Sequence, residues 1–248
     1  MSYDEFLDYS LLLSMQGKFD EAESILQKLH KENPKDLRVV FNLGWYSCRT
    51  GDFLNGSKKM TAGRFIGVFG NKHIRTSKPI WSRDKDLDGK TVLFNCEGGL
   101  GDQIIYARFV PYLKRLHPTC KIVMACAPSL FKLFEKLPVT QFVANSHEHT
   151  QFSIDPGDVY HDYWIPSMSS LEVFETNNIP HSNFLGLNHL RSSSDKLKIG
   201  IRWSGNPDFE HEQNRRFNPS FMINAVSEYQ KKHQDIEMYS FQRDENLI

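Results

Sequence analysis

The stretch KTVLFNCEGGLGD, residues 90–102, constrains the fold more than any other part of the sequence. Its apolar run lies between Asp88-Gly89 and Gly98-Gly99 and shows no polar alternation, which is the pattern of a strand covered on both faces, as in parallel sheets. Residues 102–116 then place Ile104, Ile105, Ala107, Phe109, Leu113 and Leu116 at helical spacing, with a bend or break required near Pro111. KIVMACA and PSLFKLFEKL repeat the strand and the helix, and VTQFVAN reads as a third strand. The expectation is a βαβ layout on a parallel sheet. In DVYHDYWIPSMSSLEVF, Tyr163, Trp164 and Ile165 pack inward and Ser169-Ser170 cap a short helix.

RSSSD, residues 191–195, is serine-rich and contains no apolar residue, so a junction between two halves is expected there. Beyond it, KLKIGIRWSGN predicts a strand opening into a loop, NPSFMINAVSEYQKKH a helix and DIEMYSFQ a further strand. A second βαβ unit therefore begins near Lys196.

The first third of the chain obeys another rule. Gly17 and Gly51 lie 34 residues apart, each is followed two residues later by Phe (Phe19, Phe53), and Asn33-Pro34 falls between the two units. Leu11, Leu12 and Met15 continue one apolar stripe, Gly17 ends that helix and Asp20 begins the next. The positions Tyr9, Leu13, Gly17, Phe19, Ala22, Leu26 and Pro34, matched by Leu43, Gly44, Gly51, Phe53, Gly56 and Met60, resemble the tetratricopeptide (TPR) repeat. Two repeats are fewer than the roughly three a solenoid needs to stand alone, so this segment is expected to lean on its neighbouring domain. TPR arrays most often bind peptides or mediate assembly, which leaves two readings of the segment: a site for a protein partner, or a helical prefix that supports its neighbour.

Bulk properties weigh against some partners. The 248 residues carry 30 Lys plus Arg against 30 Asp plus Glu, so no net field draws the chain to nucleic acid or to an anionic membrane surface. No stretch approaches the roughly 20 apolar residues of a membrane span, and acids stand in the opening MSYDEFLDYS where a secretory signal carries basic residues, so the expected location is cytoplasmic. Cys48, Cys96, Cys120 and Cys126 form no CxxC pair and are expected as buried free thiols. His147, Glu148 and His149 read as a solvated polar stretch, and no metal site is expected.

Two loops can carry chemistry, because ligands of parallel sheets gather at the carboxyl ends of strands. In the first, Gly98, Gly99 and Gly101 let the backbone approach a ligand, and Asp102 stands at the start of a helix. The spacing is neither GxGxxG nor GxxxxGK, and a carboxylate there would repel phosphate, so dinucleotide and ATP readings are weak. Asp102 fits either a helix cap or a general base toward a hydroxyl, with Glu97 as its neighbour. In the second loop, Ser204, Gly205 and Asn206 are followed by Arg215 and Arg216, donors suited to a diphosphate or, equally, ordinary surface charge.

Read in order, the two repeats, Pro79, Trp81, DGKTVLFNCEGGLGDQIIYARFVPYL, DYWIPSMSSL, IGIRWSGNP with Arg215 and Arg216, and YSFQ resemble TPR-linked glycosyltransferase-like proteins related to the heptosyltransferases. The resemblance implies an α/β chain with an all-α N-terminal prefix. Two TPR-like hairpins (1–70) and a linker (71–89) would precede a Rossmann-like acceptor-side domain (90–190) and an incomplete donor-side domain (196–248), arranged as in the GT-B fold with the active site in the cleft between the two sheets. It also implies roles. Asp102 would be the catalytic base, Glu97, Gly98, Gly99 and Gly101 would bind an acceptor, and Ser204, Gly205, Asn206, Arg215 and Arg216 would bind a nucleotide-sugar donor without a cofactor or metal. A donor domain of ordinary size, on the order of 150 residues, is larger than the segment from Lys196 to Ile248. Two expectations therefore stand side by side: a sugar transferase whose activity depends on completion of the donor-side domain, or a TPR-type interaction module on a non-catalytic α/β scaffold.

Overall fold

The computed structural model describes residues 1–67, 74–145, 159–180, 183–186, 196–205, 216–233 and 235–242. The chain forms two compact units, Met1–Leu187 and Asn188–Ile248. The serine-rich junction at 191–195 and the stretch His147, Glu148 and His149 lie outside the described residues.

The first unit opens with helices α1 (Tyr3–Met15), α2 (Phe19–Glu32), α3 (Leu37–Arg49), α4 (Phe53–Met60) and α5 (Gly63–Ile66). Their ends reflect local chemistry. Ser2 and Glu5 exchange the two bonds of a capping box at α1, and Asp36 and Asp52 cap α3 and α4 by accepting from the Arg38 and Asn55 amides. Gly17 and Gly51 close the preceding helices at φ of 77° and 88°, which explains the glycine recurring at one period. The stripe on α1 differs from the one expected. Leu7, Ser10 and Leu13 face the core with Ala22, Leu26 and Leu29 of α2 and Val39 and Leu43 of α3, while Leu12 and Met15 are 48% and 63% exposed. The true stripe steps by three from Leu7, and the adjacent apolar Leu11, Leu12 and Met15 lie on the side left open.

Helices α3 and α4 cross at two glycines. A Cβ on Gly44 would meet Met60 Cγ at 2.6 Å and the Gly56 carbonyl oxygen at 2.9 Å, and one on Gly56 would meet the Gly44 carbonyl oxygen at 2.9 Å as well as the Cys48 sulfur. That close approach brings α4 and α5 down onto the rest of the unit. The Leu54 amide donates to Asn177 Oδ1 at 2.7 Å, and Thr61 Oγ1 shares a hydrogen bond with Ser169 Oγ at 3.0 Å and donates to Glu172.

Strands β1 (Thr91–Asn95), β2 (Lys121–Cys126), β3 (Gln141–Ala144) and β4 (Tyr163–Pro166) make a parallel sheet in the order β3-β2-β1-β4, a Rossmann-like α/β arrangement. Side chains alternate as the pleat requires. Val92, Phe94, Ile122, Met124 and Ile165 enter one core with Phe109, Val110, Leu113 and Phe174, while Leu93, Val123, Ala125 and Trp164 enter another on the opposite face. The expected long helix after β1 is two, α6 (Leu100–Ala107) and α7 (Phe109–Leu116). The break at Arg108 lies three residues before Pro111, which has no amide to donate to the carbonyl of Ala107 four residues back and whose ring clashes with it. The helix after β2 is a 3-10 turn, Pro128–Leu130, running into the single turn α8 (Phe131–Phe134).

Residues 71–89, expected as a linker, include part of the fold. Ile80 bridges to Trp164, the Trp81 amide donates to the Trp164 carbonyl at 2.9 Å, and Trp81 and Leu87 are buried in the main core. Ser169 and Ser170 precede and open the short helix α9 (Ser170–Val173) without capping it by their side chains.

The second unit holds β5 (Leu197–Ile201), α10 (Ser220–Gln230) and β6 (Ile236–Ser240), with β5 and β6 paired in parallel. Its described apolar residues are buried only at Ile201, Val226 and Ile236, whereas Phe221 and Phe241 are 77% and 68% exposed. No helix among the described residues is long and apolar enough to cross a membrane.

This packing leads to two expected outcomes. Gly56→Ala should lower stability by about 1–3 kcal/mol in urea unfolding, because the added methyl overpacks the helix crossing. Asp162 accepts from the Thr91 amide at 2.8 Å, and that bond holds its carboxyl below the ordinary range. Its stabilising effect is present above the unfolded-state pKa and lost as pH falls through the lower folded value. Asp162→Asn should therefore lower the Tm near neutral pH, with the gap to wild type closing as the buffer is taken below the ordinary carboxylate range.

Candidate functional site

The sheet order reverses beside β1, whose chain continues to β2 on one side while β4 fills the other, and open α/β sheets take ligands at the carboxyl ends of strands at such a point. The loop between β1 and α6 lies there. Cys96 is buried and donates its amide to the Ala125 carbonyl at 2.8 Å. Gly98 has φ of 73°, and a Cβ on it would lie 2.7 Å from Asp102 Oδ2, so both conformation and space require glycine. Gly101 faces open space, where a ligand can approach the backbone.

Asp102 Oδ2 accepts from the Gly99 amide at 2.9 Å and so closes the first turn of α6. Its Oδ1 carries no hydrogen bond among the described residues. The cap reading and the base reading are thus compatible, with one oxygen holding the helix and the other available. Tyr106, one helical turn further, shares this face of α6. Burial pushes its hydroxyl up to about 12, with smaller contributions from Cys48, Asp102 and Glu97, so it is a neutral donor at physiological pH.

Glu97 is placed differently from the acceptor contact expected of it. Its side chain is fully enclosed, Arg64 of α5 engages both carboxylate oxygens, and the Met168 amide donates to Oε2 at 3.1 Å. Burial pushes its carboxyl up, and the Arg64 guanidinium opposes part of that shift. Glu97 therefore forms the floor of the loop and leaves its upper side to the glycines and Asp102. Around it, the Glu97 amide donates to Ser167 Oγ at 3.0 Å, Gln103 Oε1 accepts from the Ala127 amide at 2.9 Å, and Asn145 Nδ2 donates to the Cys96 carbonyl at 2.5 Å. Asn95 Nδ2 and Asn145 Oδ1 are buried at this carboxyl end of the strands without a hydrogen-bond partner among the described residues.

Sequence reasoning missed Arg64, Tyr106, Asn145 and Ser167. Tyr106 was accessible from its four-residue spacing to Asp102. Arg64 stood out only as a lone charge among apolar residues, and its partner Glu97 lies 33 positions away.

In the second unit, Gln242 Oε1 accepts from the Trp203 and Ser204 amides at 3.3 and 3.1 Å, and the Phe217 amide donates to the Trp203 carbonyl at 3.1 Å. These bonds gather Ser204, Gly205 and the exposed Arg216 at the carboxyl end of β5. Ser204 Oγ is shielded and has no hydrogen-bond partner among the described residues. Asn206 and Arg215 lie outside the described residues. No group of His, Cys, Asp and Glu that could hold a metal occurs among the described residues, and Cys48, Cys96, Cys120 and Cys126 are free thiols.

No protein-family model, curated protein or solved structure matches the chain.

Gly98→Ala should cost about 1–2 kcal/mol for the left-handed conformation alone, more with the displaced Asp102 carboxylate, and should shift the Gly99 amide resonance in NMR spectra.

Proposed function

We propose that the chain is a glycosyltransferase-like protein of GT-B type, in which the β1–α6 loop takes an acceptor hydroxyl and the loop after β5 takes a nucleotide-sugar. The observation that carries this reading is Asp102, held by one oxygen at the carboxyl end of β1 with the other unengaged. In the reaction, Asp102 removes the acceptor hydroxyl proton as that oxygen attacks the anomeric carbon, and the bond from that carbon to the diphosphate oxygen breaks. Negative charge grows on the departing nucleoside diphosphate. Ser204 Oγ, the Gly205 amide, Asn206, Arg215 and Arg216 are assigned to it as donors, a stabilisation that needs no metal.

Titration calorimetry with a panel of nucleotide-sugars tests the donor half. At least one should bind, and Arg216→Ala should weaken that binding by about 10- to 100-fold, the range for a hydrogen bond to a charged group. Wild-type protein that binds none of the panel would sink the reading. For a donor that binds, Asp102→Asn should reduce transfer to an acceptor by about 100- to 10,000-fold with donor affinity unchanged.

A second reading, a TPR-type interaction module on a non-catalytic α/β scaffold, has its own observation. A groove of about 460 Å³ on the helical prefix is lined by Leu11, Phe19, Trp45 and Tyr46, and Trp45 is 52% exposed. Arg49 lies over the Phe19 ring at 3.8 Å and brings a positive charge to the groove's lining. The test is a point variant, because α4 and α5 are built into the larger unit and truncation would unfold it. Trp45→Ala should abolish capture of a protein partner, and capture that survives this change rules the groove out.

A further inference from the structure

We propose that Arg64 is a positioning residue for the β1–α6 loop, so that the helical prefix sets the backbone geometry on which Asp102 depends. The role deepens the acceptor-site reading and rests on it.

The geometry joins three parts of the first unit. Arg64 is 4% exposed on α5 and presents two guanidinium nitrogens to the two oxygens of Glu97, Nη2 to Oε2 at 2.7 Å, and Nη2 also donates to Ser169 Oγ at 3.0 Å. Glu97 is tied in turn to the segment after β4 through Ser167 and Met168. A forked pair fixes both the position and the rotation of a carboxylate, which a lysine cannot do. The next residue is Gly98, in the left-handed region, and Gly99 donates the amide bond that aims Asp102. A loop with glycine at 98, 99 and 101 has more backbone freedom than one with side chains at those positions, so holding it in a single conformation calls for an external tie. The Arg64–Glu97 pair is that tie at the loop's first residue.

A purely structural role would call for something else. A buried ion pair is a poor source of stability, and a well-packed apolar pair of similar volume often matches or exceeds it. The fork, the added Ser169 bond and the position beside Gly98 are instead the features that control direction.

Amide hydrogen exchange of the full chain tests this without any ligand. In the double variant Arg64→Met/Glu97→Leu, the Gly99 amide should exchange at least about tenfold faster than in wild type, while the Leu93 and Phe94 amides in β1 keep wild-type protection. Wild-type exchange at Gly99 in that folded double variant would overturn the proposal. Should the double variant not fold, Arg64→Lys decides: it keeps the charge but loses the fork, and Gly99 exchange should rise severalfold, whereas an unchanged rate overturns the proposal. Since no sugar-nucleotide enters the measurement, its failure is distinct from a failure of donor titration.

Discussion

Strand β1 is hydrogen-bonded along both edges and covered on both faces, and the sheet with the loop that follows β1 takes its place from that condition. A strand so enclosed cannot slip by one residue without exchanging Val92 and Phe94 for Leu93 across the sheet. Its carboxyl end is therefore a fixed point. The residues just beyond it inherit this precision: Cys96 continues the ladder to Ala125, Glu97 turns inward to Arg64, and Gly98 reverses the backbone so that α6 begins with Asp102 against the Gly99 amide.

The polar groups beside this fixed point show where burial has been compensated and where it has not. Glu97 is desolvated, yet each of its oxygens has a donor. Cys96 is enclosed against Cys126 and Glu97, and burial pushes its thiol well up, which removes it as a nucleophile. Asn95 and Asn145 each keep one unmet amide atom among the described residues. Such atoms are costly in a finished core. They are expected where a further polar group completes the set, at the strand ends that ligands use.

Much of this was legible in the sequence, for identifiable reasons. Strands β1 and β2 and the break before Pro111 arise from apolar runs, flanking glycines and proline sterics, all local effects. The recurrence of Gly17 and Gly51 marked the helix ends correctly. The features that escaped depended on contacts between distant residues. The side of α1 facing the core could not be chosen from a segment with apolar residues on two adjacent faces, Leu7 and Leu13 against Leu12 and Met15. The direction of Glu97 depended on a guanidinium from the helical prefix, and without that partner a glutamate beside a glycine loop reads as a ligand contact. Ser169 was read as a cap because its type and position fit one, yet its hydroxyl is drawn to Arg64 and Thr61.

The glycine crossing of α3 and α4 also bears on the order in which the chain folds. Contacts within α1–α4 join residues close in sequence, whereas β1 must find β4 across some 70 positions, as in the pairing of Val92 with Tyr163. Local contacts form early and distant parallel pairings late. The partners that enclose the Arg64 guanidinium, Glu97 and Ser169, lie just past the carboxyl ends of β1 and β4, so the guanidinium can shed its water only where those two strands are paired. The ionic lock at the base of the loop is complete only when the sheet is.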